Sequence, residues 1–166
     1  MRNSYEVRAQ KFIQKIFPYI MGCADLEEVE IAVGTFNMKF NRNVRFAHGM
    51  TRFALIYSDY VVKVDYSPEG ISNFGGCEDE INLYAEAEAE GFDYLLAKIT
   101  RYDYSGVSFY IMPRIEGICR TWYDADYYMT DEEKNWCDWH GLCDLHCFNY
   151  GWKNRHIVLI DYGAHY

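Results

Sequence analysis

The end of the chain carries three oxygen-bearing side chains at short, fixed spacings. Asp144 and Asn149 lie five residues apart in DLHCFN, and an apolar run over residues 157–160 leads directly to Asp161. A short apolar run of this kind is typical of a buried strand. The strand would present Asp161 at its carboxyl end, near the loop that carries Asp144 and Asn149. Phosphoryl transfer needs one such group to orient the attacking hydroxyl and two to hold magnesium against a triphosphate. A loop with Asp144 and Asn149, followed by a strand that ends at Asp161, can supply such a set.

A lysine interrupts the apolar run of residues 60–65. Side chains alternate along a strand, so Lys63 shares its face with Val61 and Asp65. Two explanations fit the position equally well. Lys63 is either a solvent-facing lysine on an edge strand or the ammonium group that pairs with nucleotide phosphates.

A helix is predicted from Gly76 to Glu90, closed by Gly91. Most of its acidic residues are expected on a solvated face. Glu80 is the exception, because it lies four residues before Tyr84 and so at the edge of the buried side. Glu78 is the alternative if the register differs by half a turn.

Short β-rich runs separated by turn residues predict a small antiparallel sheet. The runs are Val44–Ala47, Phe53–Tyr57, Tyr60–Asp65, Leu95–Thr100 and Val107–Met112. Two helices are expected before them. The first ends near Ile16 because of Pro18, or is followed by a second helical turn that starts at Pro18. The second runs from Leu26 to Val33, with a polar loop from Gly34 onward. Thr130 and Glu133 form a capping box that opens a helix running into Asp144.

The loop at Asp144 and the turn Asp161-Tyr162-Gly163 resemble the catalytic loop and the Asp-Phe-Gly turn of protein-kinase-like phosphotransferases. The Asp-Leu-His variant is similar to that of aminoglycoside and choline kinases and of small bacteriophage kinases. The resemblance covers about residues 44–163. It implies an α+β, protein-kinase-like fold in one compact unit: an N-terminal helical bracket (1–43), an N-lobe of antiparallel sheet with one packed helix (44–113), and a truncated, mostly helical C-lobe (114–166).

The resemblance also implies a role for each matching residue, with ATP and Mg²⁺ as cofactors. Asp144 would orient and deprotonate the acceptor hydroxyl, and Asn149 and Asp161 would hold magnesium. Lys63, held in position by Glu80, would bind the nucleotide phosphates. The remaining nucleotide contacts would come from the turn between the first two strands and from the hinge: Gly49, Thr51, Arg52 and Met112.

The chain departs from the family pattern at several positions. Leu142 and Cys143 stand where the family has His and Arg, and the phosphate turn has Gly49 as its single glycine. The sequence ends three residues after Gly163, so neither an activation segment nor a full helical lobe is expected. A minimal Ser/Thr protein kinase is therefore the first interpretation. A pseudokinase-like acidic protein that binds and inhibits a partner is the alternative.

A structural zinc site is a third interpretation. Five potential ligands lie within eleven residues, namely Cys137, His140, Cys143, His146 and Cys147. A single helix would string the first three along one face over about 9 Å, whereas zinc modules usually join two ligand pairs from separate turns. Reduced thiols are therefore expected instead.

Charge and composition limit the partners and the location. The net charge of -9 and the absence of a basic run argue against nucleic-acid binding. No apolar stretch of membrane-spanning length and no signal-peptide pattern occur, so a cytoplasmic protein with no membrane association is expected. The resemblance to small bacteriophage kinases implies a protein substrate or target as the partner.

Overall fold

The computed structural model describes residues 4–67, 70–71 and 76–162. They form an α+β protein with an antiparallel sheet and several helices. The chain divides into two compact units, Met1–Cys77 with Thr100–Arg114 and Glu78–Ile99 with Ile115–Tyr166. Within the described residues, no helix combines the length and apolar character that crossing a membrane requires. Gly163, the last residue of the predicted metal-binding turn, lies outside the described residues.

The first unit is built on an antiparallel sheet in the order β1-β2-β3-β6-β5, with the short β4 paired to β3. Its strands are β1 (Arg45–His48), β2 (Arg52–Ile56), β3 (Tyr60–Ser67), β4 (Gly70–Ile71), β5 (Thr100–Tyr104) and β6 (Val107–Pro113). β3 lies between β2 and β6, with Lys63 opposite Ala54 on one side and Tyr110 on the other. The strands β1, β2, β3 and β6 appear close to the runs predicted from the sequence.

Two helices, α1 (Tyr5–Ile20) and α2 (Leu26–Phe40), complete this unit. The buried side chains of α1, among them Ile13 and Ile16, join a core that includes Leu55 and Val62 from the sheet. Burying these apolar side chains removes them from water, and that is the main force that attaches the helices to the sheet.

Both helices extend beyond their predicted ends. α1 continues through Pro18 to Ile20, which is fully buried, so packing of the last turn outweighs the hydrogen bond that proline cannot donate. α2 continues through Gly34, and the expected loop is absent there. The side chain of Asn37 instead bonds both backbone groups of Val44, at 2.8 and 2.9 Å, and so closes the turn that follows the helix.

The strand predicted from Leu95 to Thr100 is also wrong in its bounds. Residues Asp93–Leu95 form a 3-10 turn, and the strand β5 begins only at Thr100. The apolar side chains of Leu95, Leu96 and Ala97 are buried in the second unit, where the Ala97 N–H donates to the carbonyl of Leu159 at 2.8 Å. A short apolar run does not reveal which partner will bury it.

The second unit contains α3 (Gly76–Glu90) from Glu78 onward, α4 (Asp131–Trp139), and a hairpin of β7 (Tyr150–Lys153) and β8 (His156–Leu159). Between residues 114 and 162 the described chain is mainly irregular, so the expectation of a mostly helical segment is wrong. The region's short strands and turns are held by backbone and side-chain hydrogen bonds to α4 and the hairpin.

α4 begins at the predicted capping box but does not run into Asp144. The Thr130 side chain accepts from the Glu133 N–H, and the Glu133 side chain accepts from the Thr130 N–H. At the other end Gly141 has φ +69°, and the Leu142 N–H donates to the carbonyl of Cys137 at 2.9 Å. This is a Schellman termination, which ends the helix at Trp139.

Candidate active site

The loop between α4 and β7 folds back on itself through Asn149. The Asn149 side-chain amide donates to the backbone carbonyl of Asp144 at 3.0 Å, and the Asn149 N–H donates to the carbonyl of His146 at 2.9 Å. Asn149 is 8 % exposed. These bonds hold Asp144 and Asn149, the two ends of this segment, close together.

The end of β8 is tied to the same loop. The N–H of Ile160 donates to the Asn149 carbonyl at 2.8 Å. Asp144 and Asp161 both line a small cavity of about 10 Å³, which is otherwise walled by apolar side chains such as Leu142 and Leu159. The loop and the strand end therefore bring Asp144, Asn149 and Asp161 into one neighbourhood.

His146 is a further polar neighbour of Asp144. Its Nε2 lies 3.2 Å from Asp144 Oδ1, and its Nδ1 accepts the Phe148 N–H at 3.2 Å. Because Nδ1 is the acceptor, the ring proton belongs on Nε2, where it points to the carboxylate. Both side chains are about half exposed. The sequence analysis used His146 as part of the Asp-Leu-His motif and as a potential zinc ligand, and its contact with the Asp144 carboxylate was not predicted.

Glu80 anchors the turn that carries Asp161. Its side chain is fully buried, and Oε1 accepts the Tyr162 N–H at 3.2 Å. The Tyr162 hydroxyl in turn donates to the Ala97 carbonyl at 2.5 Å. Glu80 was singled out from the sequence as a partner for a lysine, and its bond to the backbone beside Asp161 was not foreseen. Of the two candidate acids, Glu80 is fully buried and Glu78 is partly exposed, which favours Glu80.

In the first unit, Lys63 occupies the middle of a central strand. It is 7 % exposed, which excludes the interpretation of a solvent-facing lysine on an edge strand. Asp65, two residues on and on the same face, is fully buried. Burial raises the pKa of the Asp65 carboxyl, and Cys77, Arg52 and Lys63 offset part of that rise. Asp65 was noted from the sequence only as a neighbour of Lys63.

The other residues predicted to contact a nucleotide also lie in the first unit. The Gly49 N–H donates to the Arg52 carbonyl at 2.9 Å and closes the tight turn between β1 and β2, and Gly49 and Thr51 are exposed at its tip. Met112 is 2 % exposed and pairs with Val61 across the sheet. The turn thus offers free surface, whereas the Met112 side chain is part of the sheet's packing.

The five potential zinc ligands each have separate surroundings. In residues 4–67, 70–71 and 76–162, no three His, Cys, Asp or Glu side chains are grouped as a metal site would require. His140 lies against Glu86 and Glu90, at 3.2 and 2.9 Å, and Cys147 lies 3.4 Å from Cys119. Burial raises the pKa of the Cys137 thiol to about 12, and its sulfur lies 3.9 Å from the Met129 sulfur.

Magnesium makes different demands, and the residues present fit them. It needs one or two protein oxygens and takes its other ligands from phosphates and water. Asp161 supplies a carboxylate. The amide nitrogen of Asn149 is engaged with the Asp144 carbonyl, so its amide oxygen is the end left for a cation.

Comparison with known proteins adds two partial likenesses. No protein-family model matches the chain, and no curated protein matches it. The co-crystal structure of WbdD with the kinase inhibitor LY294002 aligns with 21 % identity over 71 % of this chain and 32 % of that one, at a TM-score of 0.34. The streptomycin-ATP-APH(2")-IIa ternary complex aligns with 20 % identity over 62 % and 33 %, at a TM-score of 0.27. The chain thus spans about a third of the length of each.

Proposed function

We propose that this chain is an ATP- and Mg²⁺-dependent phosphotransferase that acts on a hydroxyl group, with a Ser or Thr side chain of a protein as acceptor. The observation that carries the proposal is the shared cavity of Asp144 and Asp161, tied together by the backbone and side-chain bonds of Asn149. One oxygen group for a hydroxyl and two for a cation are the set that phosphoryl transfer requires.

Asp144 is assigned to the acceptor hydroxyl. Its carboxylate is about half exposed, so a hydroxyl from outside the protein can reach it. In the transfer step the hydroxyl oxygen forms a bond to the γ-phosphorus, the bond to the β-γ bridging oxygen breaks, and Asp144 accepts the hydroxyl proton. His146 holds the carboxylate through its Nε2–H and leaves its second oxygen for the hydroxyl.

Asn149 and Asp161 are assigned to magnesium, which when bound would neutralise charge on the phosphate oxygens. Glu80 contributes by holding the backbone next to Asp161, so it positions the metal ligand. Lys63 is assigned to the nucleotide phosphates, and Gly49, Thr51, Arg52 and Met112 to the remainder of the nucleotide, on the family resemblance of the sequence.

Thermal unfolding in the presence of nucleotide tests the binding step. A ligand at 100 times its dissociation constant should raise the free energy of unfolding by about 2.7 kcal/mol. For a protein of this size, that is a rise in Tm of about 5–11 °C. We expect the rise with ATP and Mg²⁺ together, and a smaller one with ATP and EDTA. No rise at millimolar nucleotide would contradict the proposal.

Two matched substitutions separate binding from transfer. Asp144→Asn should abolish transfer of γ-³²P to protein acceptors in a cell extract while nearly preserving the rise in Tm, because Asp144 acts on the acceptor. Asp161→Asn should also reduce the Mg²⁺-dependent rise, because it removes a ligand charge. Nucleotide binding with no transfer by the wild type would instead favour an acidic interaction protein that uses the fold to bind a partner.

A further inference from the structure

Basic side chains are concentrated at one place in the first unit. Two cavities, of about 240 and 390 Å³, adjoin there and share Arg42 and Tyr57 in their walls. Six basic residues line them, and we call this surface the cationic groove: Arg8, Lys11, Lys15, Arg42, Arg45 and Arg114. They are six of the chain's 16 Lys and Arg residues, in a protein whose net charge is -9.

The groove keeps most of its positive charge uncompensated. Its walls, as far as the described residues form them, contain no carboxylate. Asp59 lies nearby and forms an ion pair with Arg8. In the described part of the chain, Lys11, Lys15 and Arg42 form no ion pair. Like charges held together repel one another, so an anionic ligand would be attracted to this surface.

The positive charges are arranged in a line. Arg8, Lys11 and Lys15 follow the spacing that places side chains on one face of α1, and they extend over about 10 Å. Arg42, just after α2, lines both cavities and continues the groove from the first to the second. An extended peptide advances about 3.3 Å per residue. The α1 stripe alone therefore matches about three residues of such a peptide.

The floor of the first cavity is aromatic and mostly buried. Tyr57 stacks against both Phe12 and Tyr60, with ring centroids 5.7 and 5.1 Å away, and the Phe12 and Tyr60 rings lie 6.0 Å from each other. Phe12 is 7 % exposed and Tyr60 is 2 % exposed. Of these three rings only Tyr57 is partly exposed, whereas binding of single-stranded nucleic acid relies on several open faces that stack with successive bases. The floor is suited to an apolar side chain instead.

We propose that the cationic groove binds an acidic peptide segment of a partner protein. Carboxylates of the segment pair with Lys11, Lys15 and Arg42, and an apolar side chain rests on the aromatic floor. The net negative charge of the whole chain disfavours a long polyanion such as nucleic acid but leaves local attraction of a short acidic segment intact. The inference concerns the first unit alone and does not depend on phosphotransferase activity.

Fluorescence anisotropy with a defined probe tests the proposal. The probe is a fluorescein-labelled peptide with Leu at its centre and three alternating Glu and Asp residues on each side. We expect saturable binding to the wild type at 50 mM salt. The dissociation constant should rise at least tenfold in 500 mM salt, because exposed charges are screened there. Absence of saturable binding up to about 1 mM protein would overturn the proposal.

Charge-reversal variants locate the site. The triple variant Lys11→Glu, Lys15→Glu, Arg42→Glu changes only exposed side chains and should bind at least tenfold more weakly. The matched control Lys98→Glu, Lys153→Glu, Arg155→Glu reverses three exposed basic side chains in the second unit, so it changes the net charge equally, and it should stay within twofold of the wild type. Far-UV circular dichroism establishes that each variant is folded. Equal binding by the triple variant and the control would place the peptide elsewhere and overturn the assignment.

Altered probes and competitors distinguish the contribution of the acidic residues, that of the Leu side chain, and the class of ligand. A peptide with Gln and Asn in place of the acids should not bind, and one with Ser in place of Leu should bind more weakly than the parent. Unlabelled oligo-dT of nine nucleotides, or inorganic phosphate at the same charge concentration, should compete at least tenfold less well than unlabelled acidic peptide. Equal or better competition by the oligonucleotide would assign the groove to single-stranded nucleic acid instead and refute the proposal.

Discussion

Replacing Glu80 with alanine tests how the turn beside Asp161 is held. The Glu80 side chain is fully buried and accepts the Tyr162 N–H at 3.2 Å. Alanine would leave that N–H without this acceptor, and a buried N–H left unsatisfied costs about 1–3 kcal/mol. We therefore expect Glu80→Ala to lower the free energy of unfolding by about 2 kcal/mol. At this chain length that is a fall in Tm of about 4–8 °C.

Tryptophan fluorescence is well placed to measure this effect. All four Trp residues lie between residues 122 and 152, in the same unit as Glu80 and Tyr162. With a urea dependence of about 2 kcal/mol per molar, the midpoint of the tryptophan-detected transition should fall by about 1 M. Far-UV circular dichroism, recorded in parallel, reports both units.

Two control variants separate the hydrogen bond from the other effects of the substitution. Glu80→Gln keeps a side-chain oxygen as acceptor for the Tyr162 N–H, so it should lose less stability than Glu80→Ala. Glu88→Ala removes an exposed acid from the same helix and should stay within about 0.5 kcal/mol of the wild type. The reasoning is refuted if Glu80→Ala lowers the midpoint by less than about 0.2 M, or if Glu80→Gln lowers it as far as alanine does.

Three further changes test other parts of the structure. A Cβ at Gly151 would lie 2.6 Å from the Glu116 carbonyl oxygen, so Gly151→Ala should lower the free energy of unfolding by about 1–3 kcal/mol, measured by tryptophan-detected urea unfolding. Because burial raises the pKa of Asp65, its contribution to stability is present below the unfolded pKa of about 3.9 and is lost as the pH rises through the folded pKa. Asp65→Asn should therefore gain stability relative to the wild type as the pH rises from about 4 to 8 in urea titrations. Cys119 and Cys147, with sulfurs 3.4 Å apart, should be oxidised by diamide to one disulfide, diamide taking up both thiol hydrogens, as peptide mapping by mass spectrometry would show.

Each of these expectations has its own contrary result. For the glycine substitution, Gly34→Ala is the control: it is exposed in α2 with nothing within 4 Å of the added Cβ, and it should raise stability by about 0.5–1 kcal/mol. A similar effect at both glycines would contradict the predicted clash. If the stability difference between Asp65→Asn and the wild type does not change with pH, the raised pKa of the Asp65 carboxyl is contradicted. Oxidation that links Cys143 in preference to Cys119 would contradict the observed thiol pair.

Local sequence patterns were sufficient for much of the fold. Alternation and turn residues placed β2, β3 and β6 within one or two residues of their observed bounds. The capping box at Thr130 marked the start of α4, because an N-cap depends on residues only three apart. Helix ends were less predictable. α1 passes Pro18 since tertiary burial of Ile20 overrides the local cost, and propensity alone does not contain that term.

The cationic groove could not be foreseen from the sequence. Its residues come from α1, from the chain after α2, and from Arg114 after β6. No two of them are adjacent, so the sequence shows no basic run. Only the packing of the two helices on the sheet brings their charges together. The net charge of the whole chain therefore does not describe the surface of this unit.

The loop of Asp144 could be predicted because its geometry is almost entirely local. The hydrogen bond from the Asn149 side chain to the Asp144 backbone spans five residues, and a two-stranded hairpin then returns the chain so that Ile160 bonds to Asn149. The helix before the loop was predicted to be too long, although Gly141 directly follows its last turn in the sequence. Because glycine accepts the positive φ that a Schellman termination needs, that residue marks where the helix releases the chain, three residues before Asp144. Asp144 thus lies in an irregular loop, where hydrogen bonds to its backbone rather than a helix hold it at the cavity it shares with Asp161.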